Sequence, residues 1–535
     1  MNSIRPQVEA ILLLLKRLGW MIAIAALPLS NTWMSIGAIW MGCVVLVERI
    51  LYANEYRQKG WLRSFALPND HSIWLIVLYA CSVIGLIFTE DMSHGMWDLR
   101  MKLPLLVWPL IVAWIRPLSP EHKKQTWGVY LVALCVAVLF CAGVYLRLFG
   151  KEWQDVRSTS IFISHIRFGM MLALGVAVVW HYAFDRGWKG RLLIVVISIL
   201  FLGYLIAIES LTGVLLIFVV ILWNMLFQMR QWTSVVWRRG VLLVLIGVPM
   251  IAMGYVLLQA SMYFQEPPVS MASLPQRSTG GELYQLNLDN QLAIRGEYVF
   301  GRIATEEMQR TWLQRSGIDA QEVLENGFPI SATLIRYLTA MHQPKDSVGV
   351  MSLSDQDIRN ILSGMTSPEQ ASQNGLQRRL EAIFFELACY QSGADPSGHS
   401  ITQRWEFWRA ARHIIAQHPW IGVGTGDTKR AFQTAYNDLN SALDDKHRLR
   451  AHNQYLTQWL TFGILGLFVW LAVLVAAWRR GQWRFPLWSS FLLIAALSCL
   501  TEDTLESQAG VTFVAFFYVW IKHSRHENES SDANM

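Results

Sequence analysis

The sequence predicts an all-α polytopic membrane protein with about 12 transmembrane helices and one large, mainly helical segment between helices 9 and 10. Three observations predict it. The first is composition: of 535 residues, 53% are hydrophobic and only 16% charged, where a soluble chain carries about 25% charged residues. The second is a series of apolar runs of roughly 17 to 25 residues, each long enough to cross a bilayer. The third is the distribution of Lys and Arg, which crowd into alternate loops. A membrane barrel would instead show alternating segments of about ten residues, and the chain has none.

Taken in order, windows of about 19 residues give spans near 11–29, 32–52, 72–89, 101–115, 126–147, 161–183, 190–208, 210–228 and 240–260. After a long polar stretch come 453–477, 485–500 and 508–522. The first run holds Lys16 and Arg17 and passes straight into the second, so it does not read as a cleavable signal. Glu209 and Ser210 mark a tight hairpin between the seventh and eighth spans. With the N-terminus inside, inner segments carry about 21 basic residues and the short outer loops about six, which fixes both termini in the cytoplasm. The chain then divides into 1–260 (spans 1–9), an outer segment 261–452, 453–523 (spans 10–12) and a polar, disordered cytoplasmic tail 524–535. Of the six cysteines only Cys389 lies in the outer segment, so that segment closes no disulfide within itself.

The outer segment reads as folded, not as a floppy loop. Ser354-Leu-Ser-Asp357 has the form of a capping box opening a short helix. Thr402 to His418 reads as an amphipathic helix with Trp405, Trp408, Ala411 and Ile415 on one side, ended by Pro419 and Gly422-Val-Gly424-Thr-Gly426. That glycine run follows a helix and lacks dinucleotide spacing, so it reads as a turn passing close to another part of the chain. With about 18 basic and 21 acidic residues the segment is no nucleic-acid platform.

Candidate chemistry gathers at the water–lipid boundary. His452 follows Arg448 and Arg450 where the polar segment re-enters an apolar run. Imidazole titrates near neutrality and can take a proton from an attacking hydroxyl, although an interfacial His can equally serve as a cap. Arg448 lies one turn earlier and shares its face if the helix extends back that far. Asn453 and Tyr455 follow directly. Arg404 opens the amphipathic helix, where its guanidinium fork matches diphosphate oxygens. Trp405 and Trp408 suit a membrane interface or a sugar face. Arg100, Arg157 and Arg167 break the charge-poor habit of the outer loops, so each needs an acidic partner, such as Asp98 or Asp155, or an anionic ligand. Glu502-Asp503 and Asp444-Asp445 read as solvated loop charges, and no metal or cofactor is assigned.

From Arg404 to about Leu474 the pattern resembles the O-antigen ligase and O-antigen polymerase-like superfamily. The resemblance rests on Arg404-Trp405-x-x-Trp408, on His418-Pro419 through Gly426, on His452-Asn453-x-Tyr455-Leu456 and on Gly463-Ile-Leu-Gly466. It implies an inverting, metal-independent glycosyltransferase of the periplasmic face in a bacterial inner membrane. The implied donor is a glycan on undecaprenyl diphosphate, and the acceptor a hydroxyl of lipid A–core, of a growing glycan or of a protein. On matching positions His452 is the implied base and Arg404 a diphosphate ligand. Relatives carry Ser-Arg-x-Gly at the hairpin, where this chain reads Glu209-Ser210-Leu211-Thr212-Gly213. Arg167, Arg157 or Arg100 is the expected substitute. A transporter of lipid-linked sugars would instead show paired half-chain symmetry and midplane charges.

Overall fold

The computed structural model describes every residue except 1–4, 54–66, 69, 151–152, 154, 230–233, 288–289, 326, 400, 480–483 and 524–535. The expected tail and several of the orienting basic residues (Arg57, Lys59, Arg63, Lys151, Arg230, Arg480 and Arg525) lie outside the described residues. Among those described, seven helical runs are long and apolar enough to cross a membrane. They are Gln7–Leu29, Asn31–Leu51, Pro120–Tyr145, His165–Ala207, Leu211–Met229, Arg238–Tyr263 and Gln454–Ala476. The run His165–Ala207 contains two helices, His165–Ala183 and Gly187–Ala207, which pack against each other.

The other expected spans fall on shorter apolar helices: Ile73–Phe88, Pro486–Thr501 and Gln508–Ile521. A 16-residue helix such as Pro486–Thr501 is about 24 Å long, short of a hydrocarbon core of about 30 Å. The expected fourth span, 101–115, is corrected. Helix Met92–Lys102 ends and Pro104–Trp114 begins across Leu103, with Pro104 in the first turn, where its missing N–H costs nothing.

Helices that are apolar all round are buried all round. His165–Ala183 is enclosed from Phe168 to Val179 by Pro120–Tyr145, Gly187–Ala207, Leu211–Met229 and Pro486–Thr501. Gln508–His523 is the second buried helix, with Trp520 tilted against Trp20, Phe516 edge-on to Trp108 and Phe517 stacked on Trp127. Val235–Tyr263 is the opposite case: Leu243 and Ile251 are each 73% exposed, as expected of a helix facing lipid. At one end of the bundle Lys16 is buried against Glu48 (2.6 Å), with Arg116 at 3.5 Å from the same carboxylate.

The polar stretch holds a two-stranded hairpin, Ala293–Ile294 with Glu297–Tyr298, and helices Thr305–Ser316, Ile330–Ala340, Ser347–Met351, Asp355–Leu362, Gly375–Gln391, Thr402–Gln417 and Thr428–Asp438. The capping box at Ser354 and Asp357 is present. The amphipathic helix forms over Thr402–Gln417, but its buried face is Phe407, Ala410, Ala411, Ile414 and Ile415. Trp405 is 61% exposed, because two residues at 100° each carry it round from Phe407.

The glycine run does pass close to other backbone. Helix Gln454–Arg479 is kinked at Gly463 (φ 68°, ψ −168°). The carbonyls of Leu460 and Thr461 accept from the N–H groups of Val423 (2.9 Å) and Gly424 (3.0 Å), and Ile464 N–H donates to Pro419 (3.0 Å). A Cβ on Gly463 would overlap the Trp420 carbonyl, and its positive φ is one that L side chains rarely adopt. Gly463→Ala is therefore expected to cost about 2 kcal/mol or more, read as a lowered melting temperature of the purified protein. An unchanged melting temperature would show that the kink tolerates a side chain.

Candidate active site

The loop joining Pro486–Thr501 to Gln508–His523 reads Glu502-Asp503-Thr504-Leu505-Glu506. Glu502 and Asp503, expected to be solvated, are buried, 2% and 6% exposed, and the Glu506 side chain is 7% exposed. Burying a charge is tolerable only with partners, and each has them. Asp503 fixes backbone. Its oxygens accept from the N–H of His452 (3.0 Å), the N–H of Asn453 (3.0 Å) and the hydroxyl of Thr457 (2.7 Å). Burial raises its pKa, and the Thr457 hydrogen bond and nearby His452 only partly offset that.

Glu506 binds cations. Lys102 Nζ approaches one oxygen (2.9 Å) while also reaching Asp98 (2.8 Å), and Arg450 reaches the other (3.1 Å). Burial alone would push the Glu506 carboxyl up, but Lys102 and Arg450 outweigh it and hold the group below the ordinary range. Arg450 also meets His94 Nε2 at 3.2 Å.

Glu502 is the hub. One oxygen accepts from Arg404 (3.0 Å); the other lies 3.4 Å from His452 Nδ1 and 3.6 Å from Arg167. Burial opposes its ionisation, yet the His452 hydrogen bond and the charges of His452, Arg167 and Arg404 together lower its pKa. One buried acid thus gathers an imidazole and two guanidinium groups from three distant parts of the chain.

His452 is held in the left-handed region (φ 45°), which few non-glycine residues occupy and which functional sites often exploit. Its ring stacks on Phe407 (centroids 5.4 Å, 26° between planes). Trp408 Nε1–H donates to the Ala451 carbonyl (3.0 Å), bracing the residue before it. With Nδ1 directed at Glu502, Nε2 makes no hydrogen bond among the described residues, and the side chain is 30% exposed. The arrangement of acid, imidazole and open nitrogen is that of a general base oriented by a carboxylate.

The remaining sequence candidates separate. Arg448 does not share a helical face with His452, because the helix begins at Gln454. Its guanidinium instead binds Asn437 (2.7 Å), the Leu443 carbonyl (3.1 Å) and Asp445 (3.2 Å). Asn453 caps that helix, accepting from Tyr455 and Leu456 N–H (3.0 and 3.2 Å), and Tyr455 donates to the Ala496 carbonyl (2.9 Å). Trp405 faces solvent. Arg100 is exposed, turned two residues round the helix from Asp98, and does not join the cluster.

Arg157 is paired with Asp155 (3.0 Å) and lines a cleft of about 480 Å³ with Tyr145, Trp153, Glu209 and Arg378. Arg378 pairs with Glu209 at 3.3 Å, at the hairpin. Burial lowers the pKa of its neighbour Arg379, Glu386 opposes that, and Arg157 and Arg404 are near enough to add to the lowering. Arg157, Arg379 and Arg404 thus lie near enough to feel one another's charge, each beside an acid: Asp155, Glu386 and Glu502. Glu502, Arg450, Arg378 and Arg379 were missed as site residues by sequence reasoning, and no local spacing signals them. Among the described residues no group of three or more His, Cys, Asp or Glu side chains is arranged to hold a metal ion.

Residues 348–471 match the family model described as O-antigen ligase, and no curated protein matches the chain. The matched stretch includes Arg404 and His452 but stops short of Glu502. Together with the long apolar helices it supports an O-antigen ligase-like, multi-pass membrane protein of glycosyltransferase type.

Proposed function

We propose that this protein transfers a glycan from undecaprenyl diphosphate to an acceptor hydroxyl at the periplasmic face of a bacterial inner membrane, with His452 as base. The observation that carries this reading is Glu502, whose one carboxylate joins His452, Arg404 and Arg167. His452 Nε2 takes the hydroxyl proton as the acceptor oxygen bonds to the anomeric carbon. The carbon–oxygen bond to the diphosphate breaks on the opposite face, inverting the centre, and the electron pair leaves with the phosphate.

Two guanidiniums against one carboxylate leave positive charge for the departing diphosphate, and preorganised charge of this kind is the strongest lever such a site has. Arg404 and Arg167 hold the diphosphate, and Arg157, Arg378 and Arg379 guide it in. Arg378 and Arg379 bring to the hairpin the charge that Leu211 does not supply. The 3.4 Å spacing of His452 and Glu502 is of the long kind that tightens on substrate binding.

The acceptor favoured is lipid A–core; a growing glycan or a protein hydroxyl would be served by the same groups. The test is reconstitution of the purified protein with a lipid-diphosphate glycan and each of three acceptors, core lipid, glycan and protein, with a chelator present. Transfer to core lipid, undiminished by the chelator and weakened by added salt, is the expected result. Transfer to glycan or protein alone would reassign the acceptor, and loss of transfer on chelation would overturn the metal-independent mechanism.

A further inference from the structure

A second cavity, of about 500 Å³, lies within the polar segment, between helices Ile330–Ala340 and Gly375–Gln391 and the loops at 290–300 and 394–399. It is lined chiefly by apolar surface, including Phe300, Phe328 and Phe385, with Ser331 and Thr333 among its few polar groups. That is the size and character of a small-molecule site. None of the groups around Glu502 takes part in it.

Arg336 also lines this cavity, with its guanidinium carbon over the Phe385 ring, 3.6 Å from the ring centre. Stacking leaves the in-plane N–H edge open, yet among the described residues Arg336 makes no hydrogen bond and no ion pair. The nearby acid Glu381 is engaged by Arg295 (3.2 Å). Burial lowers the pKa of Arg336, and Tyr263, Cys389 and Glu381 offset it only in part. Arg336 thus stands at the wall of an apolar cavity with no direct ion-pair partner among the described residues, a setting in which a guanidinium can take an anion.

Where the cavity lies points to the rest of the ligand. Phe384, beside Phe385, packs against Tyr263 (5.5 Å) and Phe264 (5.9 Å) at the end of the lipid-facing helix Val235–Tyr263. An apolar chamber opening near the end of such a helix, with one cation inside, matches a lipid-like molecule more closely than a free sugar. We propose that this cavity binds a single-chain amphiphile through its anionic head, a carboxylate or a phosphate, with Arg336 as the head-group ligand and the phenylalanines around the chain.

The experiment titrates the full chain, in phosphatidylcholine nanodiscs, with octanoate, octyl phosphate, 1-octanol and inorganic phosphate, using empty nanodiscs as the blank. At least one of octanoate and octyl phosphate is expected to bind at one site at least 10-fold tighter than 1-octanol, and the preference between them identifies the head group. Arg336→Gln should bring that ligand down to the level of 1-octanol, Arg336→Lys should retain part of the difference, and Ala332→Trp, which fills the chamber, should remove binding altogether. Should Arg336→Gln fail to fold, as read from its melting temperature and elution volume, the Lys and Trp variants decide. Equal binding of the alcohol and both anions, inorganic phosphate binding as tightly as octyl phosphate, or undiminished binding in Ala332→Trp would overturn the proposal.

Discussion

Replacing His452 with Ala is expected to lower transfer by about 10³-fold or more, the full contribution of a positioned base. The fold should survive the change. The segment around residue 452 is anchored by backbone, through the N–H groups of His452 and Asn453 on Asp503, and those bonds do not need the imidazole. The native imidazole already bears the cost of the left-handed backbone there, so Ala adds little strain and the melting temperature should fall only slightly, through loss of the ring's packing on Phe407. Donor binding, which rests on the arginines, should change little. The readout is single-turnover transfer beside a donor-binding titration. Ordinary turnover in the variant would remove His452 as the base.

The second large effect is expected at Glu502. Glu502→Gln keeps the shape but removes the charge that orients His452 and holds Arg404 and Arg167 in place. Turnover should fall by about 10²-fold or more, up to the ~10⁴-fold lost when the orienting acid of a triad is made an amide. Stability should fall by about 1–2 kcal/mol, a modest figure because both guanidiniums stay partly exposed.

The pH dependence has a definite sign. Glu502 has a lowered pKa in the folded chain, so its stabilisation is fully present above the ordinary glutamate value of about 4.3 and is lost as pH falls through the folded value. The stability gap between wild type and variant should therefore be constant through neutrality and close only in acid. A Glu502→Gln enzyme with normal turnover would show that the carboxylate is structural only.

Much of this was legible in the sequence, and the residues that were not are instructive. Long apolar runs identify membrane helices because lipid demands about 20 apolar residues in a row; helices such as Pro486–Thr501 fall short of that and cannot be counted as spans by length alone. His452 stood out at a polar–apolar boundary and Arg404 at the start of an amphipathic helix, but it was the family resemblance over Arg404 to Leu474 that singled both out. Glu502 was not visible. An acid in a six-residue loop carries no periodicity, and nothing local distinguishes a solvated carboxylate from one buried by partners 50, 98 and 335 positions away. Of Arg448 and Arg450, helical spacing favoured Arg448, one turn before His452. What separates them is the irregular backbone ahead of Gln454, which directs Arg450 to Glu506 and Arg448 away to Asn437.

The kink at Gly463 ties the polar segment to a membrane helix. It lies inside the apolar stretch Gln454–Ala476, where a broken helical ladder has no water to turn to and each bare backbone group costs several kcal/mol. The strand from Pro419 to Gly424 supplies the missing partners, so it cannot detach while the helix stays in lipid. On that side the polar segment and the membrane helix move as one piece.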